Sequence, residues 1–254
     1  MHNHQQTLNL QNWFLNHACG KLMLQDEQKF IDNIVQYTFG YNALQINFNN
    51  INYLNASKIH NQYYLSINIL ADITHLPFVD NSIDLIVAPH SFDLYTNHKI
   101  ILQEFYRILA PNGKLIISGF NYYSLLNVFI TINSIIAKLS FQINFNKNKP
   151  LKSTLLAQQS QDITPKFNSI KLNAMTTSIK EANLQIVSGG FLNYLLPINC
   201  DKILTHIAFL NKLGNRWLPN LSNIYVIVAN KELLMSNVIN NNINSNFIIK
   251  PSYV

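Results

Sequence analysis

Glycine, cysteine and charged residues are scarce in this chain of 254 residues. Gly occupies 7 positions, Cys occupies 2, and charged residues make up 12%. The two cysteines, Cys19 and Cys200, are too few for a disulfide scaffold and lack zinc-finger spacing. The sequence also lacks a P-loop and a Gly-x-Ser-x-Gly nucleophile elbow. Its N-terminus has no basic region followed by an apolar stretch, so we expect a cytoplasmic protein.

Acidic residues are missing from one long stretch, between Asp32 and Asp72, although the chain has 12 of them. The net charge of +6 is unevenly spread, because 14 of the 18 basic residues lie in residues 105–254. A basic half can contact phosphates, anionic lipid or an acidic substrate, but lysines that only solvate the surface give the same count. We therefore expect at most a weak contact with an anionic surface. The aromatic and basic motif of an RNA-binding sheet is absent.

Asparagine and isoleucine are abundant instead, with 38 and 33 positions. This mixture suggests an A/T-biased genome, so Asn alone is a weak indicator of function. The hydrophobic content of 48% argues against wholesale disorder. The longest uncharged run, residues 115–137, fits a buried strand followed by an apolar helix better than a membrane span.

Short β-type runs alternate with segments of helical periodicity along the chain. The runs are 43–48, 63–70, 83–88, 114–119, 184–188 and 223–230, and the helical segments are 22–39, 97–109, 175–183 and 201–213. This alternation predicts an α/β fold with a doubly wound, mostly parallel sheet. Ligands of such sheets bind beyond the carboxyl ends of the strands at the switch point. That rule selects residues 47–50, 72–76, 89–93 and 119–124.

One segment carries the clearest signal, Asp72-Ile73-Thr74-His75-Leu76-Pro77-Phe78. It resembles the class I S-adenosylmethionine-dependent methyltransferases, in particular the type-11 branch, which has an acid-x-x-x-Leu-Pro-Phe loop before its fourth strand. Residues 107–117 look like the entry to that branch's fifth strand. Residues 213–219 are similar to small bacterial methyltransferase-like proteins. The resemblance extends to about residue 232.

The resemblance implies a Rossmann-like methyltransferase sheet with an antiparallel last strand. It divides the chain into an N-terminal helical segment, 1–40, and a methyltransferase-like domain, 41–235. A helical cap is expected as an insertion at about 122–175, and residues 236–254 as a disordered tail. Only about 22 residues separate Asn50 from Asp72, so the second βα unit is expected to be shortened.

The resemblance also implies an S-adenosylmethionine site. The Asp72 carboxylate would accept a hydrogen bond from the adenine amino group, and the backbone of Ile73 would meet the ring; a turn or helix-cap Asp is the alternative. The glycine-rich turn of the family reads Asn47-Phe48-Asn49-Asn50 here, and the acid that binds the ribose is missing. Asn is the residue that best tolerates a glycine-like backbone. The predicted cofactor-binding residues are Asn47, Asn49, Asp72, Ile73, Pro89 and His90.

His90 is the candidate catalytic base for methyl transfer, since an ordinary His has a pKa near 6.5. The alternative is a non-catalytic His that lines the pocket or caps a turn. Tyr122, Tyr123 and the apolar segment after them would roof the site and select a flat or greasy acceptor, or belong to the core. We expect methyl transfer to a small or lipid-like acceptor. A non-catalytic binding module and a peripheral membrane methyltransferase are the alternatives.

Overall fold

The computed structural model describes residues 2–65, 71–128, 131–132, 135, 169–194 and 219–232. Its helices are α1 (His2–Asn16), α2 (Ala18–Val35), α3 (Ser91–Leu94), α4 (His98–Ile108) and α5 (Leu172–Glu181). Pro219–Leu221 forms a 3-10 turn. The strands are β1 (Asn42–Gln45), β2 (Asn61–Tyr64), β3 (Ile83–Pro89), β4 (Leu109–Phe120), β5 (Gln185–Leu192) and β6 (Ile224–Asn230).

The described strands form one sheet in the order β2-β1-β3-β4-β6-β5. Strands β2, β1, β3 and β4 are parallel, whereas β6 runs antiparallel to both β4 and β5. This confirms the predicted doubly wound, mostly parallel sheet with an antiparallel last strand. After β1 the chain goes to β2 on one side and returns to β3 on the other. The switch point therefore lies between the carboxyl ends of β1 and β3.

Alternating strand residues supply two cores, one on each face of the sheet. Ala43, Leu85 and Ile116 face a core shared with α1, α2 and residues 48–59. Their neighbours along the strands face α4 and α5. Both faces of the central strands are thus apolar, as a buried parallel sheet requires. The N-terminal helices α1 and α2 therefore pack directly on the sheet, on the face that also contacts the connection after β1.

The connection between β1 and β2 has no helix. Residues 46–60 are all described and contain only turns and bends, whereas parallel strands are usually joined through a helix. One buried amide holds this connection: Gln45 Nε2 donates to the carbonyls of Asn47, Phe48 and Ile51 at 3.4, 3.2 and 2.6 Å. Gln45 Oε1 accepts the Tyr53 N–H at 2.8 Å. The predicted shortening of this part of the fold is confirmed.

The Pro111-Asn112-Gly113 turn lies inside β4. Ile83 pairs with Leu109, and Leu85 pairs with Lys114. Between these two pairs, β4 therefore contains three residues more than β3. Asn112 takes a left-handed backbone with φ of 61°. β4 therefore begins before the predicted strand, because the turn residues form a bulge within the strand.

Several predictions fall on residues that the structure does not describe. They are most of strand 63–70, most of the cap at 122–175, the helix at 201–213 and the tail at 236–254. Residues 125–128 of the cap are helical, and α2 ends at Val35 rather than at residue 39. Among the described helices, none has both the length and the apolar character needed to cross a bilayer.

Replacing Gln45 by Ala should destabilise the fold by about 2–3 kcal/mol, because three buried carbonyls and one N–H lose their partner. Urea denaturation measures this loss. Gln62→Ala is the matched control, since Gln62 also donates to two loop carbonyls but is only partly buried. Equal losses for the two variants would show that Gln45 has no special role in the helix-free connection.

Candidate cofactor site at the switch point

The turn after β1 has a glycine-like backbone without glycine. Asn47 and Phe48 take φ values of 62° and 50°. The Asn47 side chain is buried, and its Nδ2 donates to the Pro89 carbonyl at 3.2 Å and to Ser91 Oγ at 2.8 Å. Asn49 is exposed. The turn is thereby tied to the end of β3, across the switch point.

His90 lies directly after β3 and is completely buried. Its backbone is left-handed, and its N–H donates to the Ser118 carbonyl of β4. The ring Nδ1 lies 2.8 Å from Asp93 Oδ2, and Nε2 lies 3.4 Å from Glu27 Oε1. Glu27 belongs to α2. We call Glu27, His90 and Asp93 the ion cluster.

Two further hydrogen bonds fix the carboxylates of the ion cluster. Asp93 Oδ2 also accepts the Phe120 N–H at 2.9 Å, so it binds both His90 and β4. Tyr53 Oη donates to Glu27 Oε2 at 2.9 Å. The cluster therefore joins α2, α3, β4 and the helix-free connection at one point.

Electrostatics makes His90 a cation at neutral pH. Burial alone would lower the pKa of His90, but Glu27 and Asp93 together raise that pKa to about 9. Burial raises the pKa of Asp93, and its hydrogen bond with His90 opposes this change. A general base must start without the proton, and both ring nitrogens of His90 point to carboxylates. The arrangement favours the alternative left open by the sequence, a non-catalytic His in the wall of the site.

Three aromatic rings enclose His90. The ring centroids of Phe14, Phe48 and Phe120 lie 5.1, 6.0 and 4.5 Å from that of His90. Phe14 of α1 also stacks on Phe120, with an angle of 6° between the planes. These apolar rings keep water from the ion cluster, and so they lower the local dielectric and strengthen its electrostatic interactions.

Asp72 follows β2 and is exposed. Its Oδ1 accepts the Thr74 N–H at 2.9 Å, and this hydrogen bond lowers the pKa of Asp72. The side chain is an ionised acceptor in a turn. Ile73, with 3% of its surface exposed, packs into the core and leaves Asp72 at the edge of the sheet. Burial and then the Asp72 carboxylate raise the pKa of Tyr95, which places Asp72 near the segment that follows α3.

Arg107 of α4 clamps the loop that carries Asp72. Its guanidinium donates to the carbonyls of Leu76 and Phe78 at 3.0 and 2.8 Å. It also pairs with Glu104 and Asp80, and Glu104 Oε1 accepts the Leu76 N–H at 2.6 Å. Arg107 thus joins α4 to the loop by two single hydrogen bonds to backbone carbonyls, while its bidentate contact is with Glu104.

The structure brings Asn47, Pro89 and His90 into one contact group, whereas Asp72 and Ile73 lie farther along the same edge. Glu27 and Phe14 were missed by the sequence interpretation, because they come from the N-terminal helices. A signal for Glu27 exists. It lies four residues after Met23 and four before Ile31, on the buried face of α2, where a carboxylate needs a partner.

Tyr122 and Tyr123 lie beyond β4, with 46% and 53% of their surfaces exposed. Their rings contact each other at 5.1 Å, and Lys171 Nζ lies 5.3 Å from the Tyr122 ring centroid. Asn121 anchors this segment, since its amide donates to the carbonyls of Asn220 and Ser222. The two tyrosines therefore project from a fixed base next to the switch point.

Comparison with known proteins identifies the fold. Residues 29–117 match the sequence model of the family described as methyltransferase domain. A methyltransferase candidate of Haloferax volcanii, solved in complex with the Trm112 methyltransferase activator, shares 13% identity and a TM-score of 0.53. That likeness covers 88% of this chain and 98% of the other. This chain has a class I methyltransferase fold.

Two further proteins are similar to this chain, one over most of its length and one over a short stretch. A protein of Thermotoga maritima, described as a possible histamine N-methyltransferase, shares 15% identity over 87% of this chain and 94% of its own, with a TM-score of 0.49. The uncharacterised protein YafS of Escherichia coli K12 is 36% identical over 64 residues, which are 25% of this chain and 27% of YafS. The match to YafS thus spans about a quarter of either protein. The predicted methyltransferase resemblance is confirmed by the family match together with the fold.

The ion cluster of this methyltransferase fold should make its stability depend on pH. The pKa of His90 is raised above its unfolded value near 6.5, so the stabilisation is complete below pH 6.5 and is lost as the pH rises through about 9. We expect the free energy of unfolding to fall by on the order of 3 kcal/mol across this window. Urea denaturation at several pH values measures it.

His90→Gln should remove this pH dependence, because Gln does not titrate. His75→Gln is the matched control, since His75 is exposed on the Asp72 loop, and this variant should keep the wild-type profile. A wild-type protein with a flat profile between pH 6.5 and 9 would contradict the assignment of the charge to His90.

Proposed function

We propose that this protein transfers the methyl group of S-adenosylmethionine to a small or lipid-like acceptor. The observation that carries the proposal is the position of the Asn47 turn, the Asp72 loop and His90 at the carboxyl edge of one methyltransferase sheet. The switch point of such a sheet is where a nucleotide-like ligand binds. The methyltransferase domain itself indicates methyl transfer in general.

The residues around the switch point fit the cofactor at its adenine end. Asp72 is exposed and ionised, which suits a group that accepts a hydrogen bond from the adenine amino group. Asn47 keeps a left-handed backbone, so the turn is formed without the family's glycine. Arg107 fixes the loop beneath Asp72 and Ile73, which would order the adenine contact before binding.

The acceptor side is apolar. Tyr122 and Tyr123 are half exposed, as are Val128, Ile132 and Ile135. The last three each stand at a helical position, and their spacing of four and three residues is typical of one helix face. Such a surface beside the switch point supports a flat or greasy acceptor. The cap boundaries at about 122–175, a contact with membrane lipid and the cytoplasmic location stay predictions.

Titration calorimetry with S-adenosylmethionine and S-adenosylhomocysteine tests the proposal without knowledge of the acceptor. We expect binding to the wild type and a loss of about tenfold in affinity for Asp72→Ala, because one hydrogen bond to a charged group is removed. Asp32→Asn removes a carboxylate on α2, whose buried face packs on the opposite side of the sheet from Ile73, and it should bind like the wild type. Folded wild-type protein that gives no heat at millimolar ligand would contradict the proposal.

A second candidate function is a non-catalytic module that keeps the fold and acts through binding. The buried rings of Phe14 and Phe48 favour it, because they fill space against His90 at the switch point. The same titration separates the two functions. An enzyme must bind the methyl donor, whereas a module of this kind has no need to do so.

A further inference from the structure

The ion cluster contains buried polar atoms whose hydrogen bonding is incomplete. Asp93 Oδ1 has no hydrogen-bond partner among the described residues, and Glu27 Oε1 and His90 Nε2 have only the 3.4 Å contact with each other, although all three side chains are fully buried. Buried polar atoms are nearly always paired, because an unpaired one costs about 1–3 kcal/mol. An unpartnered carboxylate oxygen beside one long ion contact therefore calls for an explanation beyond packing.

The charges of the cluster do not cancel. Two carboxylates, Glu27 and Asp93, face one imidazole, which can supply at most a single positive charge. Two buried tyrosines also lie beside the cluster. Tyr53 donates a hydrogen bond to Glu27, and burial together with the Asp93 carboxylate raises the pKa of Tyr225 on β6, so both phenols are neutral. With both carboxylates ionised, the cluster has a net charge of −1 when His90 is protonated and −2 when it is neutral. Since its cage consists of Phe14, Phe48 and Phe120, this charge is poorly screened.

The cluster also lies where the ligand is expected. His90 is the first residue after β3, and its neighbour Pro89 accepts the hydrogen bond from the Asn47 turn after β1. These two strand ends flank the switch point. A ligand held there would experience the field of the cluster even without touching it, because the rings between them are apolar.

We propose that the ion cluster is a counter-charge for the sulfonium of S-adenosylmethionine, and that Glu27 is the positioning residue that makes it anionic. The inference rests on the proposed function. His90 and Asp93 alone would form a neutral pair, so the excess negative charge comes from Glu27. Glu27 lies outside residues 29–117, the part that matches the methyltransferase family, and the resemblance assigns this side chain no role. The cluster would favour a cationic ligand over a neutral one.

The test compares ligands that differ in charge at one place. S-adenosylmethionine has a sulfonium, sinefungin has a charged amine in the same region, and S-adenosylhomocysteine has a neutral thioether. We expect the wild-type full chain to bind both cationic ligands about tenfold more tightly than S-adenosylhomocysteine. Glu27→Gln should bring these affinity ratios close to one, whereas Asp32→Asn, with the same charge change on the same helix, should keep them. Calorimetry measures all three ligands.

A merely structural role of Glu27 would weaken all three ligands by the same factor and leave the ratios unchanged, which overturns the inference. Tyr53→Phe removes a contact of Glu27 but not its charge, and it should keep the wild-type ratios. If Glu27→Gln does not fold, the affinities of the wild type provide the test. Equal wild-type affinities for sinefungin and S-adenosylhomocysteine would overturn the inference but not the proposed function. Folded wild-type protein that binds none of the three overturns both the inference and the proposed function.

Discussion

The contact of one buried imidazole with two carboxylates connects the parts of this molecule. His90 is bonded to Asp93, which in turn accepts the backbone N–H of Phe120, and Glu27 approaches from α2. Removing one partner from a buried ion pair typically costs about 3–5 kcal/mol, because an uncompensated charge is left behind. The position of the N-terminal helices on the sheet is therefore coupled to the geometry of the switch point.

The fold was predictable from the sequence because its signals are local. The alternation of strands and helices, the Asp72 loop and the antiparallel last strand were all expected from short patterns and from the family resemblance. The site was predictable only in part. The contact between Glu27 and His90 joins residues 63 positions apart, and periodicity shows that Glu27 is on the buried face of α2 without showing what it meets. Likewise, nothing local reveals that Gln45 replaces a crossover helix.

Composition has a structural consequence that the sequence predicted only for the turn after β1. Among the residues that the structure describes, seven non-glycine residues take a positive φ and no glycine does. Asn tolerates this region best among residues with a side chain. The chain thus uses Asn where other proteins use Gly, at Asn47, Asn81, Asn112, Asn183 and Asn193. The scarcity of glycine removes side-chain-free positions but does not remove the turns themselves.

The glycine-free turn and the ion cluster have a common physical consequence. With Asn47 and Phe48 in place of glycine, the backbone of the turn cannot approach a ligand as closely, so contacts from backbone amides contribute less. Charge acts over longer distances than a hydrogen bond, particularly where rings such as Phe14 exclude water. Recognition at this switch point would then depend less on close backbone contact and more on the sign of the ligand's charge. In a chain with so few acidic residues, two are fully buried beside one imidazole at these strand ends, and under our proposal theirs is the charge that would select the ligand.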